Sequence, residues 1–438
     1  MPSLPMRPLS RPHRNLVLWA VIAAVALASL AGVAAGGGDL MALVVAGGAL
    51  FIAAAFAAPQ VVLVLALVGA VAVGRVAFID VTVSWADLLM VLGTAVALRV
   101  APRRNDVLIL RVLVAFAAYF AVLAMVVAAN YSTAASLELL HRLMLVPGPL
   151  LVGVAIVRYQ RVETALRCLL VVLVVVAMSA VVFYASTRAP AYPFGIHKNA
   201  AGLLLAFGLV VTLGAPHRLG LRPSMLLASR VVLFFGLIAT QSRGAALALV
   251  LALVVRALAA PSTSRGGRRL GVGIGLVSLV LVVAVAVSVS QQDLAPDASP
   301  DNALSSRTET FGVALGYWSE EPVFGAGLRY FLEPGAETGV AHNLVVNELA
   351  ESGTAGLVTL VALLWVLWRA IRTSRSDLAP MAVMVFVVEV SASMLDVFWV
   401  AGRIGCALVL VGMALAEPVR GRSLSPARVT DRALLPPR

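Results

Sequence analysis

The stretch "MLLASRVVLFFGLIATQSRGAALALVLALVVRALAA", residues 225–260, is apolar except for three arginines and a few small polar residues. It is too long for one crossing of a bilayer, which takes about 20 helical residues, and suits two. Arg243 sits near its middle. An arginine held at the bilayer centre costs at least ~2.5–3.5 kcal/mol, so the stretch reads as a hairpin with Arg243 at the turn. Arg230 and Arg256 each lie 13 residues away, roughly 20 Å of helix, against a hydrocarbon core of roughly 30 Å. Either these two snorkel, or Arg243 is recessed and needs an anionic partner or a wet cavity. A helix-end anchor and a ligand-binding cation both fit at this point.

The same pattern fills the chain. Of 438 residues 61% are hydrophobic and 12% charged, about half the charge of a soluble domain, and mean hydropathy is +1.00. Fourteen apolar spans can be drawn, at 16–35, 41–58, 61–78, 84–100, 107–129, 143–157, 168–185, 199–215, 224–242, 244–260, 270–290, 354–370, 380–397 and 402–416. The fold class expected is an all-α polytopic membrane protein of about 12–14 transmembrane helices with one large, partly helical extracytoplasmic loop. Its parts are a helix bundle over 1–290, the loop over 291–353, further membrane helices over 354–416 and a basic tail over 417–438. Cys168 and Cys406 lie in or beside apolar runs and form no disulfide framework.

Net charge is +12, but its distribution points to topology and anionic lipid, not to nucleic acid. The ends and alternate loops at 1–15, 98–111, 158–167, 216–230, 256–269, 369–377 and 417–438 hold 25 of the 33 Lys+Arg and 5 of the 21 Asp+Glu. The positive-inside rule makes these cytoplasmic, both termini included. Trp19, Trp85, Trp365, Trp368 and Trp399 fall near span ends, where amphipathic rings prefer to sit. The first apolar run is long and without a clean cleavage site, so it reads as a retained span.

The loop opens with the Pro- and Asp-rich "QQDLAPDASPDN". Phe311, Leu315 and Trp318 then recur at helical spacing, which predicts a surface-lying helix over 308–318. "EEPVFGAGLRYF" reads as a turn in which Gly325 and Gly327 let the backbone approach something closely. In "VAHNLVVNELAESGTAG", Leu344, Val345, Val346 and Leu349 form an apolar face, and Asn343, Asn347 and Glu351 a polar one. Gly353 is placed to cap the helix end, and His342 falls in the first turn. There the helix dipole disfavours imidazolium, which suits a general base; a polar helix-start residue is the plainer alternative.

Other polar groups share the outer side. Arg188, His197, Lys198 and Asn199 crowd the loop before the eighth span and suggest an anionic ligand such as phosphate. Glu138, His141 and Arg142 lie on adjacent turns and read as a structural pairing. Glu389 is a mid-span carboxylate, a functional candidate by default, with Asp396 near the outer end of the same span. No metal-ligand set, phosphate-binding glycine loop or internal repeat is present in the pattern.

Taken together, "SSRTETFGVALGYWSEEPVFGAGLRYF…AHNLVVNELAESGTAGL", "TQSRGAALAL" and "GIHKNAAGLLLAFG" resemble the O-antigen ligase and polymerase superfamily over roughly residues 190–360. The resemblance implies a GT-C-like membrane glycosyltransferase of the bacterial cytoplasmic membrane. Such an enzyme moves a glycan from an undecaprenyl-diphosphate donor to a glycan or lipid acceptor hydroxyl on the outer face, without metal or cofactor and with inversion. It also implies catalytic roles for His342 and Arg243 and a substrate-binding role for Arg307. Arg188, Lys198, Asn199, Arg329 and Asn343 are further candidates for the diphosphate or glycan. Ligase and polymerase stay open. So do a flippase or proton-coupled carrier using Glu389, and a non-catalytic partner of envelope synthesis.

Overall fold

The computed structural model describes residues 57–71, 75–78, 81–100, 102, 106–258, 305–329, 341–396 and 404–416. The expected spans 16–35 and 270–290, nearly all of 41–58, and the tail 417–438 lie outside the described residues. In chain order come α1 (Pro59–Gly69), a hairpin of β1 (Arg75–Phe78) and β2 (Val81–Ser84), α2 (Trp85–Leu98), α3 (Val107–Ala129), α4 (Thr133–Leu145), α5 (Pro147–Arg158) and α6 (Val162–Thr187). They are followed by α7 (Lys198–Gly214), the one-turn α8 (Pro216–Leu219), α9 (Pro223–Thr240), α10 (Arg243–Leu258), α11 (Ser305–Glu320), α12 (Leu344–Thr373), α13 (Ala379–Ser393) and α14 (Gly405–Ala416). Among the described residues five helical segments are long and apolar enough to cross a membrane, with α4 and α5 counted as one, and five more are shorter and apolar. This is an all-α polytopic membrane protein.

Where helix boundaries differ from the sequence expectation, a local cause is visible. The expected span 61–78 stops at Gly69, and Arg75–Phe78 pairs antiparallel with Val81–Ser84. The alternating β-branched "VTVS" suits a strand. Ser84 then caps α2 in a capping box with Asp87. The expected span 143–157 begins ten residues earlier, at Thr133, because Ser132 caps α4 and α5 restarts at Pro147. Hydropathy alone rejects Glu138, His141 and Arg142 as membrane residues; pairing admits them. In α11 the face turned to α12 is Phe311, Ala314 and Tyr317, while Leu315 is exposed. Trp318 does turn inward, its indole N–H donating to Thr354 Oγ1 at 3.1 Å.

The bundle pairs α5 with α14, α10 with α13, α9 with α6 and α7, and α12 with α3. Helix α12 is broken at Gly353, which has φ 63° and ψ −166°. The chain around Gly353 thus caps the first half, as expected, yet the second half starts at once. A break in a membrane helix strands backbone donors and acceptors on either side, and hydrocarbon cannot satisfy them. Here the segment Pro322–Gly327 laces the break. The N–H groups of Thr354 and Ala355 donate to the carbonyls of Pro322 (2.9 Å) and Val323 (3.1 Å). Those of Ala326 and Gly327 donate to the carbonyls of Ala350 (2.8 Å) and Glu351 (3.1 Å). Asn130, at the end of α3, donates from Nδ2 to the Gly325 carbonyl at 2.9 Å. A Cβ at Gly353 would lie 2.3 Å from the Val323 oxygen, and one at Gly325 2.6 Å from the Ala350 oxygen. The spacing P-x-x-G-x-G followed by E-x-G is therefore that of two backbones in contact.

The polar side of α12's first half faces inward, with Asn347, Glu348, Glu351 and Ser352 all buried. An amphipathic reading puts that side in water; here it meets other polar groups. Arg142, 4% exposed, donates to Glu138 Oε1 at 2.8 Å and to Glu351 Oε2 at 2.7 Å. The Tyr119 hydroxyl donates to Glu348 Oε1 at 3.0 Å, and the Ser352 hydroxyl to the same oxygen at 2.6 Å. A buried arginine between two carboxylates joins α4 to α12 just N-terminal to the break.

Gly353→Ala places a side chain in backbone space that is essentially glycine-only, a strain of about 1–3 kcal/mol before any overlap. We expect the purified protein to lose at least ~2 kcal/mol of stability, read as a lower thermal midpoint in detergent; an unchanged midpoint contradicts the lacing. Arg142→Met leaves two buried carboxylates without their cation, which costs about 3–5 kcal/mol. Adding Glu351→Gln to that variant is expected to restore part of the loss, and a thermal melt of single and double variants checks it.

Candidate active site at the helix ends

Three of the motifs singled out in the sequence arrive at one end of the bundle. Helices α9 and α10 meet in a two-residue turn, Gln241–Ser242, in which Gln241 takes a left-handed conformation as the C-cap of α9. Arg243 is the first residue of α10. A Cβ built on the next residue, Gly244, would lie 3.4 Å from the Leu395 side chain, so the start of α10 abuts the residue preceding Asp396. Helix α7 opens with Lys198 and Asn199, and a Cβ on its Gly202 would lie 2.5 Å from Ser242. The HKN turn and the SRG turn are thus packed together.

Asp396, 7% exposed, is the hub. Its Oδ2 accepts from Asn199 Nδ2 at 3.0 Å, and its Oδ1 lies 2.9 Å from His342 Nδ1. His342 does not fall in the first turn of α12. It precedes Asn343, which is the N-cap, because the asparagine side chain can bond the free N–H groups there. Asn343 Oδ1 accepts from Val345 (2.9 Å) and Val346 (3.1 Å), and its Nδ2 donates to the Met394 carbonyl at 2.8 Å. Both ends of that side chain therefore brace the start of α12 against the end of α13. This holds His342 over Asp396.

An ionised Asp396 accepts only, so the proton between it and His342 sits on Nδ1. That leaves the lone pair of the imidazole on Nε2. The His342 side chain is 50% exposed while that of Asp396 is 9% exposed. A buried carboxylate bonded in this way fixes the tautomer and orientation of a histidine ring.

The remaining candidates spread around this centre. Arg188 is exposed at the C-cap of α6 with φ 57°. It shares that end of the bundle with the SRG turn, since Ala191 N–H donates to the Ala239 carbonyl at 3.0 Å. Arg329 belongs to a neighbouring group: its backbone N–H donates to Glu351 Oε1 at 3.2 Å, and its Nε lies 3.7 Å from Glu138 Oε2. Arg307 falls in the first turn of α11. Glu389 lies two turns below Asp396 in α13, buried, with both carboxylate oxygens lacking a hydrogen-bond partner among the described residues. Among the described residues no group of three or more His, Cys, Asp or Glu side chains is placed to hold a metal ion.

Asp396 as the partner of His342 was not legible from the sequence, where it read only as a carboxylate near a span end. The pair Glu138–Arg142 was expected, but its third member, Glu351, was not. Neither partnership has a sequence-local signal, since 54 and 209 residues separate the partners.

Residues 228–361 match the family model described as O-antigen ligase. No curated protein matches the chain. The matched segment runs from within α9 to the second half of α12 and contains Arg243, Arg307, Arg329, His342, Asn343 and the laced break; Asn199 and Asp396 lie outside it. Over residues 228–361 the chain is thus similar to the O-antigen ligase family.

Proposed function

We propose that this protein transfers a glycan from an undecaprenyl-diphosphate donor to an acceptor hydroxyl at the outer face of the bacterial cytoplasmic membrane. Similarity to the O-antigen ligase family over residues 228–361 supports a ligase- or polymerase-like membrane enzyme. The observation that carries it is the half-exposed His342 held by the buried Asp396 through a 2.9 Å hydrogen bond.

In this reading His342 Nε2 takes the proton from the acceptor hydroxyl as its oxygen attacks the anomeric carbon. The bond from that carbon to the diphosphate oxygen breaks, and the electron pair leaves on the diphosphate. A single displacement inverts the anomeric configuration. Asp396 stabilises the imidazolium that forms and, held by Asn199, keeps the ring from turning. Arg243, the first residue of α10, is assigned to the leaving diphosphate, where a guanidinium offsets developing charge. Arg188, Lys198, Arg307 and Arg329 are the further cations assigned to donor or glycan. Asn343 serves by bracing His342, with Asn199 acting on Asp396. Retention of an arginine in the middle of an apolar stretch then has a cause: the lipid diphosphate is its counter-charge.

A second reading has the protein move a lipid-linked sugar across the membrane without making a bond. It is favoured by Glu389, an unpaired buried carboxylate among the described residues, of the kind carriers use as proton sites. The two differ in outcome: the carrier yields no glycosidic product and stops when Glu389→Gln is introduced.

With purified protein, a carrier-linked oligosaccharide and candidate acceptors, we expect glycan transfer. His342→Ala and Asp396→Asn should each lower the rate about 10²–10⁴-fold, the range of a positioned general base, while Arg243→Ala weakens use of the donor. Full rates in the His342 and Asp396 variants at wild-type protein levels contradict the mechanism. For the orientation, Tyr131→Cys is expected to react with a membrane-impermeant maleimide in intact cells, and Arg375→Cys only after permeabilisation. The reverse pattern puts the site on the wrong side of the membrane.

A further inference from the structure

A groove runs between α3 and α12, from Ala118 and Thr359 to Val107 and Thr373, with a volume of about 690 Å³. On α12 this is roughly 21 Å of helix, enough to cover one leaflet of a hydrocarbon core about 30 Å thick. Its lining is mostly apolar and includes the small side chains of Ala115, Ala118, Ala362 and Ala370. Val114 and Trp365 in that lining are 69% and 61% exposed, and among the described residues nothing covers them. The groove lies toward the end of α12 opposite His342, the end where basic residues collect.

Two arginines, Arg111 and Arg369, line that end of the groove and are exposed. Arg372 is close by, its guanidinium 5.7 Å from the centre of the Trp368 ring. The described carboxylates at this end of the bundle are already engaged elsewhere. Asp106 pairs with Arg158, and Glu163 lies 3.6 Å from Arg167. Asp377 takes Arg218 through both carboxylate oxygens, at 3.0 and 2.9 Å, and His217 at 2.9 Å. Burial pushes the Asp377 carboxyl up, but the bonds from Arg218 and His217 outweigh it and hold it below the ordinary range. The groove's two arginines are left with an acyl-length apolar slot above them and no carboxylate within reach among the described residues.

We propose that this groove is a binding site for an anionic glycerophospholipid, with the acyl chain along α3 and α12 and the phosphodiester between Arg111 and Arg369. Basic pockets between transmembrane helices at one leaflet bind such head groups, and guanidinium suits phosphate geometrically as well as by charge. The site is separate from the glycan chemistry, and it acts by tying the inner ends of α3 and α12 together. These are the helices whose outer parts hold the laced break.

Native mass spectrometry of the full chain in detergent, titrated with dioleoylphosphatidylglycerol or dioleoylphosphatidylcholine, tests this. The wild-type protein is expected to retain the anionic lipid at least tenfold more strongly than the zwitterionic one. Arg111→Ala with Arg369→Ala should abolish that preference. Ala362→Trp, which fills the groove and keeps both arginines, should lower retention of either lipid. Arg111→Lys with Arg369→Lys should keep most of the preference and controls for misfolding. Free inorganic phosphate should not displace the bound lipid. Equal retention of the two lipids, or wild-type binding in both the double-alanine and the groove-filling variants, overturns the proposal. Displacement by undecaprenyl phosphate at concentrations where phosphatidylglycerol fails to compete overturns the assignment to a glycerophospholipid.

Discussion

The break in α12 is the constraint on which the candidate site depends. A transmembrane helix cannot be interrupted in hydrocarbon unless its freed backbone groups find partners. Four backbone hydrogen bonds from the Pro322–Gly327 segment supply them, and Asn130 ties that segment to α3. The first half of α12 is thereby redirected as a short rigid arm. At the arm's base, Arg142 between Glu138 and Glu351 fixes it to α4. At its tip, Asn343 fixes it to the end of α13. His342 is the residue just beyond the tip, and its position over Asp396 follows from these two attachments.

Seen this way, the glycines and acids of the superfamily-like pattern divide into two kinds. Gly325, Gly353, Glu351 and the proline before them build the arm. His342, Asn199, Asp396 and Arg243 form what the arm presents. Only the second group has chemistry to offer a substrate. It combines a half-exposed imidazole held by a buried carboxylate with an arginine at the start of a helix.

Much of the architecture was legible because hydropathy records which helices meet lipid. The span 107–129 coincides with α3, and the hairpin around Arg243 with α9, a two-residue turn and α10. Periodicity failed where polar residues are buried against one another. Asn347 and Glu351, read as part of a polar face, are interior; the partner of Glu351, Arg142, comes from a helix far away in sequence. His342 and Arg243 could be singled out by motif. Asp396 could not, since a carboxylate at a span end looks the same whether it anchors the helix or orients a base. The strand pair Arg75–Phe78 and Val81–Ser84 was hidden by its own apolar content, which hydropathy reads as more membrane.

The central claim is that the imidazole at position 342 accepts a proton during transfer. It is tested most directly by replacing that side chain with a soluble one. Transfer by His342→Gly is measured with a defined carrier-linked donor, with and without added imidazole. The account predicts a rate near background that rises with imidazole concentration and does so far less when Asp396→Asn is also present. A wild-type rate in His342→Gly without imidazole would contradict it.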